Sequence, residues 1–486
     1  MSTAGAHAPT RRLTGRLGVG AIVFMVVAAA APLTVIGGGF PLAALMGNGA
    51  GAPTMFAVGG VILLFFAVGL STMSRYVAKP GAFFTYVGYG LGRPGGLAAA
   101  WLAILTYTTV QIAVYGFLGL TLGDWMQSKT GLDLPWWVWA LALIAVVGLL
   151  GYRHVELSAK VLGVLLVAEV GIVIVLSLVI LAQGGADGVS ADSFTPSVVT
   201  SGTPALALMF CMAGFIGFES TAIFRDEAKD PERTIPLATY AAVTTIAVFY
   251  TFTSWALVQG WGKGFDQEVA DDYAGFIITT AHTYLGGAGA EVINVLLMTS
   301  LFACVLSFHN VITRYQHSMS NAGLLPRHLG RVHEEHESPH VSSLIQTATA
   351  LALIAVFAIV KLDPYLEVFT WFSGIATVAI VVLMALTCLA VIVYFTRNHV
   401  RAGAWRTWIA PGIGLLGLLG VTYVLFANFP MLLGDVDAAG NPRVGTLTIA
   451  MLALMAAFPV FGLVQAAVLR RHRPAAYATV IDTISE

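Results

Sequence analysis

Two carboxylates stand inside long apolar runs, and they are the first residues whose type could do chemistry. Glu169 lies midway through Leu165-Leu-Val-Ala-Glu169-Val-Gly-Ile-Val, and Glu219 follows Gly214-Phe-Ile-Gly217-Phe. An acid in such surroundings is costly unless it faces the inside of a helix bundle and shares a proton or meets a cation. Glu169 therefore reads either as a coupling group, protonated from one side and released to the other, or as a permanently neutral acid bonded to a neighbouring helix. Glu219 reads as a partner for the free amides of a helix break, where the helix dipole favours a carboxylate, or as a coupling and gating group.

Other polar residues on the same runs are fewer and weaker as signals. Tyr107, Gln111 and Tyr115 recur every four residues and so share one helical face, which is either a wall of a solute cavity or an internal packing network. Ser300, with Thr299, offers oxygens to a sodium ion, although hydroxyls commonly bond their own helix carbonyls instead. Phe369, Trp371 and Phe372 suit an outer gate or an interfacial anchor. His309 lies toward one end of its run and could titrate near neutral pH. His333, Glu334, Glu335, His336 and His340 lack the order of a helical zinc motif and read as a solvated loop.

The backbone supplies the second kind of site. Pro32-Leu-Thr-Val-Ile-Gly37-Gly38-Gly39-Phe-Pro41 cannot continue as an undistorted helix, and Gly214-Phe-Ile-Gly217 repeats the disturbance later in the chain. A break inside a bilayer exposes peptide groups that lipid cannot satisfy, so it must line a cavity or meet a ligand. The expected solute site is therefore Ile36, Gly37, Gly38 and Gly39 with Ala213, Gly214, Phe215, Ile216 and Gly217, walled by Tyr107 and Gln111. Phe40 and Pro41 are expected to open the outer half-helix. The amides of Gly38 and Gly39 at its positive end suit a carboxylate.

The elements that must position these residues follow from composition. Of 486 residues 58% are hydrophobic and 10% charged, against about 25% charged in a soluble domain. Apolar runs long enough to cross a bilayer recur from end to end. They give about twelve spans near 18–47, 54–74, 95–122, 136–152, 157–182, 203–229, 235–259, 287–316, 341–361, 365–396, 405–427 and 447–470. Placing both termini inside leaves only Lys129, Lys263, Lys361 and Arg443, of the 24 basic residues, on the outer side, as the positive-inside rule requires. The three cysteines, Cys211, Cys304 and Cys388, all fall within spans and suggest neither a disulfide nor a metal site.

The two breaks are five spans apart, which predicts inverted repeats. The expected organisation is a cytosolic tail over 1–17, a first repeat over 18–182, an inverted second repeat over 203–396, two further helices over 405–470 and a cytosolic tail over 471–486.

Residues 214–236, GFIGFESTAIFRDEAKDPERTIP, resemble the signature around the sixth helix of the amino acid, polyamine and organocation (APC) superfamily of permeases. Gly217-Phe218-Glu219, Glu227-Ala228, Pro231, Arg233 and Ile235-Pro236 carry the match. Ser320-Asn-Ala-Gly323-Leu-Leu-Pro326, followed by Ser338-Pro339, is similar to the family's loop after the eighth helix. The resemblance implies an all-α membrane protein of the LeuT type, with five-plus-five inverted repeats, broken helices 1 and 6, and cargo bound among helices 1, 3, 6, 8 and 10. Two departures stand out: Asn321-Ala322 replaces an Arg-Asp pair, and Gly37-Gly38-Gly39 replaces a Gly-Ser/Thr-Gly motif. Several relatives carry a lysine at the place of Glu169.

The expected function is secondary active transport of amino acids across a bacterial plasma membrane, neutral and proton-coupled, with a proton preferred to sodium. Amine, polyamine or inorganic cation import, amino acid exchange, and a binding-only sensor on the same fold are the alternatives. The first and third spans contain no acid, which favours a zwitterion over a polyamine. No nucleophile and base constellation points to an enzyme, no cofactor or metal is implied, and nothing suggests nucleic acid. The expected partners are the solute, a proton and the lipid bilayer.

Overall fold

The computed structural model describes residues 17–77, 83–153, 159–219, 221, 228–333, 338–400 and 402–484. Most of the expected N-terminal tail, and the part of the signature that holds Arg225 and Glu227, lie outside the described residues. Among the described residues the architecture is helical throughout, with only two isolated β-bridges.

The first passage is built from α1 (Val19–Ala29) and α2 (residues 32–48), and the chain then reverses through Gly47 to Gly51 into α3 (Ala52–Tyr76). A short helix, α4 (Phe83–Leu91), leads into α5 (Arg93–Thr130). The next elements are α6 (Trp136–Tyr152), α7 (Ala159–Ala182), α8 (Pro204–Ala213) and α9 (Pro231–Trp261). The remainder comprises α10 (Phe276–Asn321), α11 (His340–Val360), α12 (Pro364–Arg397), α13 (Trp405–Leu432), α14 (Thr446–His472) and a terminal α15 (Pro474–Ile484). Nine stretches among the described residues are long and apolar enough to cross a membrane, and the shorter apolar α1, α6 and α8 supplement them.

Burial ranks these helices. The most apolar stretch of α5 is 83% buried within the protein and that of α14 only 17%, so α5 is a central post and α14 a peripheral one. Ile359, Tyr423 and Leu416 are 78%, 75% and 72% exposed; hydrocarbon rather than water is the medium that suits them. Around α5 pack α10, α12 and α14, while α7 leans on α1, α9 and α10.

The first interruption is not where the glycines predict it. It falls at Ala30–Ala31, and α2 begins at Pro32 rather than at Phe40 and Pro41. The cause is Pro32: a proline disfavours helical backbone in the residue before it, and Ala31 takes a left-handed conformation with φ of 47°. Pro32 then sits at the first helical position, where its missing N–H costs nothing. Gly37, Gly38 and Gly39 stay helical in a widened π turn spanning Val35–Gly39. Their smallness serves packing, since a Cβ on Gly38 would lie 2.7 Å from a Phe117 ring carbon and one on Gly37 would lie 3.2 Å from Leu297.

The second interruption follows α8. Residues 214–217 are turns, with Gly217 at φ of 111°, a conformation that glycine tolerates. The two disturbed stretches touch, because a Cβ on Gly214 would come within 2.8 Å of Val35.

Candidate functional site

The break at Ala30–Ala31 leaves carbonyls at the end of α1 and amides at the start of α2 without intrahelical partners. Side chains from two other helices supply them. Glu169 of α7 accepts from the backbone N–H of Leu33, the second residue of α2. Ser300 of α10 donates to Glu169 Oε2 at 2.9 Å, and Thr34 Oγ1 donates to Ser300 Oγ at 3.2 Å. On the carbonyl side, Tyr250 of α9 donates to Ala30 O at 3.3 Å. Glu169, Thr34, Ser300 and Tyr250 are all buried. A carboxylate thus occupies the positive end of a half-helix, the place where an anion is favoured.

Glu219 performs the corresponding task at the second interruption. Its Oε2 accepts from the Gly217 N–H at 2.8 Å and its Oε1 from the Tyr107 hydroxyl at 2.5 Å. Tyr107 is in turn hydrogen-bonded to Tyr315 of α10, with ring centroids 5.6 Å apart. Each break therefore has one acid at its amides, and each acid comes with hydroxyl partners from a different helix.

The remaining expected residues fall into three groups. Ile36, Phe215 and Ile216 are buried apolar residues beside the breaks, while Ala213 and Gly217 are half-buried. Gln111 is committed to a network, donating to Val305 O at 3.1 Å and accepting from Gln346 Nε2 at 2.8 Å. Thr299 donates to its own helix at Leu296 O, and His309 pairs with Ser343 at 2.9 Å. Among the described residues, no group of three or more His, Cys, Asp or Glu side chains is placed to hold a metal ion.

Phe369 belongs to an aromatic cluster over α2. Its ring centroid is 5.1 Å from Phe117 and 5.4 Å from Tyr365, and Tyr365 lies 5.4 Å from Tyr273. The Tyr365 hydroxyl donates to Gly38 O at 2.7 Å, pinning the start of α12 to the π turn. Leu33, Thr34, Tyr250, Tyr315 and Tyr365 were absent from the expected site. Pro32 and a tyrosine midway along the apolar α9 were the available signals.

An all-helical membrane bundle in which a broken helix touches the turns that end α8, with Glu169 from a neighbouring helix and Glu219 from the turn's own stretch of chain at the free amides, has the LeuT fold of membrane transporters. The solved Eremococcus coleocola manganese transporter matches it with a TM-score of 0.56 at 13% identity, covering 96% of this chain and 94% of that one. Residues 22–473 match the amino acid permease family, and the chain belongs to it. It is 24% identical to the serine/threonine exchanger SteT of Bacillus subtilis over 81% of this chain and 87% of SteT. The low-affinity putrescine importer PlaP of Escherichia coli is 21% identical over 62% of this chain and 66% of PlaP.

Proposed function

We propose that this permease carries neutral amino acids by alternating access, with Glu169 as its proton-coupling group and the two interruptions as its solute site. The observation that carries the reading is the reach of Glu169 from α7 to the Leu33 amide on α2 and to Ser300 on α10. A charged Glu169 ties three helices together, and a neutral one holds the same amide far more weakly. Loading with a proton therefore frees an amide at the mouth of α2 for a solute carboxylate, and releasing the proton restores the tie. The serine and threonine in the name of the SteT relative agree with small neutral cargo.

The inverted repeats keep the boundaries 18–182 and 203–396 in this reading, and both termini lie in the cytoplasm of a cell whose plasma membrane holds the protein. Amine import is the second reading, and one observation favours it. Glu169 and Glu219 bring one carboxylate to each interruption, which would suit two ammonium groups, and PlaP bears the name of a diamine importer.

Proteoliposomes decide between them. Neutral amino acid uptake should rise with an inward proton gradient, and Glu169→Gln should abolish that rise while leaving counterflow intact. An unchanged pH response in Glu169→Gln would remove the coupling role. Uptake of putrescine with no amino acid uptake would replace the first reading with the second.

A further inference from the structure

The terminal helix α15 is seated on the junction of α4 and α5. Tyr89 of α4 donates its hydroxyl to Asp482 Oδ1 at 2.5 Å. Arg93 at the start of α5 donates to Ala478 O through Nε at 3.1 Å and Nη2 at 2.7 Å, and its guanidinium lies 5.4 Å from the Tyr477 ring centroid. Ile481, buried to 6% exposure, fills a socket left by two glycines. A Cβ on Gly88 would come within 2.8 Å of its terminal carbon, and one on Gly96 would also collide with it. Burial first, and then the bond to Asp482, pushes the Tyr89 hydroxyl up to about 12, so it stays a donor across the physiological range.

What α15 grips leads into the candidate site. Phe84, on the same short helix as Tyr89, packs edge-on against Tyr315 with centroids 5.2 Å apart. Tyr315 is bonded to Tyr107, and Tyr107 to Glu219 at the second interruption. Phe84 and Tyr107 are both buried, so this column of aromatic rings links α4 to the second interruption through the interior of the bundle. α15 is also packed against α10, and Val480 is buried at 1% exposure. An open cavity of about 890 Å³ lies between Arg473 and Ala476, at the beginning of α15, and residues 320–327 at the end of α10 and just beyond it. The hydrogen bonds and the ring contact that tie α15 to α4 and α5 lie between Tyr477 and Asp482.

We propose that α15 is an autoinhibitory latch, which fixes α4 and, through Phe84 and Tyr315, keeps the site closed toward the face where α4 and α15 lie. Its release frees α4 to swing and so raises the rate of opening. This goes beyond the transport reading, and only the flux measurement below depends on that reading.

The test uses the full chain in lipid nanodiscs and proteoliposomes. Ile481→Glu places a charge in the glycine socket and should detach α15. Amide hydrogen exchange over Phe83–Leu91 should then quicken several-fold, and substrate counterflow should quicken with it. Slower or unchanged counterflow alongside faster exchange would overturn the latch, because a merely supporting helix behaves that way. Unchanged exchange would overturn it as well.

A second variant guards against misfolding. Tyr89→Cys with Asp482→Cys, bridged by a thiol-cleavable bifunctional reagent, should slow counterflow, and a reductant should restore it. The native Cys211, Cys304 and Cys388 are buried, so the reagent meets the engineered pair. Bridging without any effect on counterflow would again overturn the latch. If no substrate is transported at all, the transport reading fails while the exchange experiment still decides the attachment of α15.

Discussion

At the scale of residues, the first interruption depends on a donor and an acceptor from different helices, and each can be removed singly. Tyr250→Phe keeps the ring, which packs 5.1 Å from Phe56, and deletes the donor to Ala30 O. A buried carbonyl without a partner costs about 1–3 kcal/mol. The variant should therefore melt lower in detergent, and added solute should recover part of the loss by supplying an ammonium to that carbonyl. A melting temperature equal to that of the parent protein would show that Ala30 O is satisfied by another group. Gly38→Ala has the opposite problem, because its Cβ would lie 2.7 Å from Phe117 and 3.1 Å from Phe369. Uptake by that variant should fall sharply and return in part when Phe117→Leu is added. Failure of that second change to help would mean that the π turn itself, not the aromatic cluster, is what the methyl disturbs.

The same residues show what can be read from sequence. Glu169 and Glu219 were legible because an acid in an apolar run has so few places to go. The position of the first break was not. Three glycines look like a break, yet here they serve close packing, and the break belongs to an alanine ahead of Pro32. Tyr250 and Tyr365 reach Ala30 and Gly38 from far along the chain, and no local pattern records a pairing of that kind.

At the scale of elements, two helix starts on the face expected to be outside are held by aspartates. Asp363 accepts from the amides of Tyr365 and Leu366 at 2.9 and 2.6 Å, while Glu367 accepts from the Asp363 N–H at 2.6 Å. This reciprocal cap fixes the first turn of α12, which carries Tyr365 and Phe369. Asp363→Ala should cost about 1 kcal/mol of stability and should weaken solute retention more than Glu367→Gln does; equal effects would deny Asp363 the larger part.

Asp435 caps α14, accepting from Thr448 Oγ1 at 2.6 Å and Thr448 N at 3.1 Å. The Thr448 hydroxyl first, and its amide second, hold this carboxyl below the usual carboxylate range. A depressed group stabilises the fold above its unfolded pKa, about 3.9, and that contribution fades as pH falls through the lower, folded value. Exchange at the first turn of α14 should therefore be flat with pH, after correction for intrinsic rates, from neutrality to about pH 4 and rise only below it. Asp435→Asn should lose this dependence, and a midpoint near neutrality would assign the titration to another group.

At the scale of the whole molecule, the distribution of charge predicts which way the carrier faces. The end of α12, the start of α13 and the end of α14 are rich in arginine, including Arg397, Arg406, Arg470 and Arg471, whereas the 433–445 loop pairs Asp435 and Asp437 with the lone Arg443. Arginine-rich loops are retained on the cytoplasmic side during insertion, and α15 lies on the same side as the end of α14. The three native cysteines are buried, so the chain is already a quiet background for thiol labelling. A membrane-impermeant maleimide added to intact cells should label Ala439→Cys in the 433–445 loop and leave Ala404→Cys, between α12 and α13, untouched until the cells are opened. The reverse pattern would invert the molecule, putting α15 and the ring column of Phe84, Tyr315 and Tyr107 outside, where the latch would govern release to the medium instead of delivery to the cell.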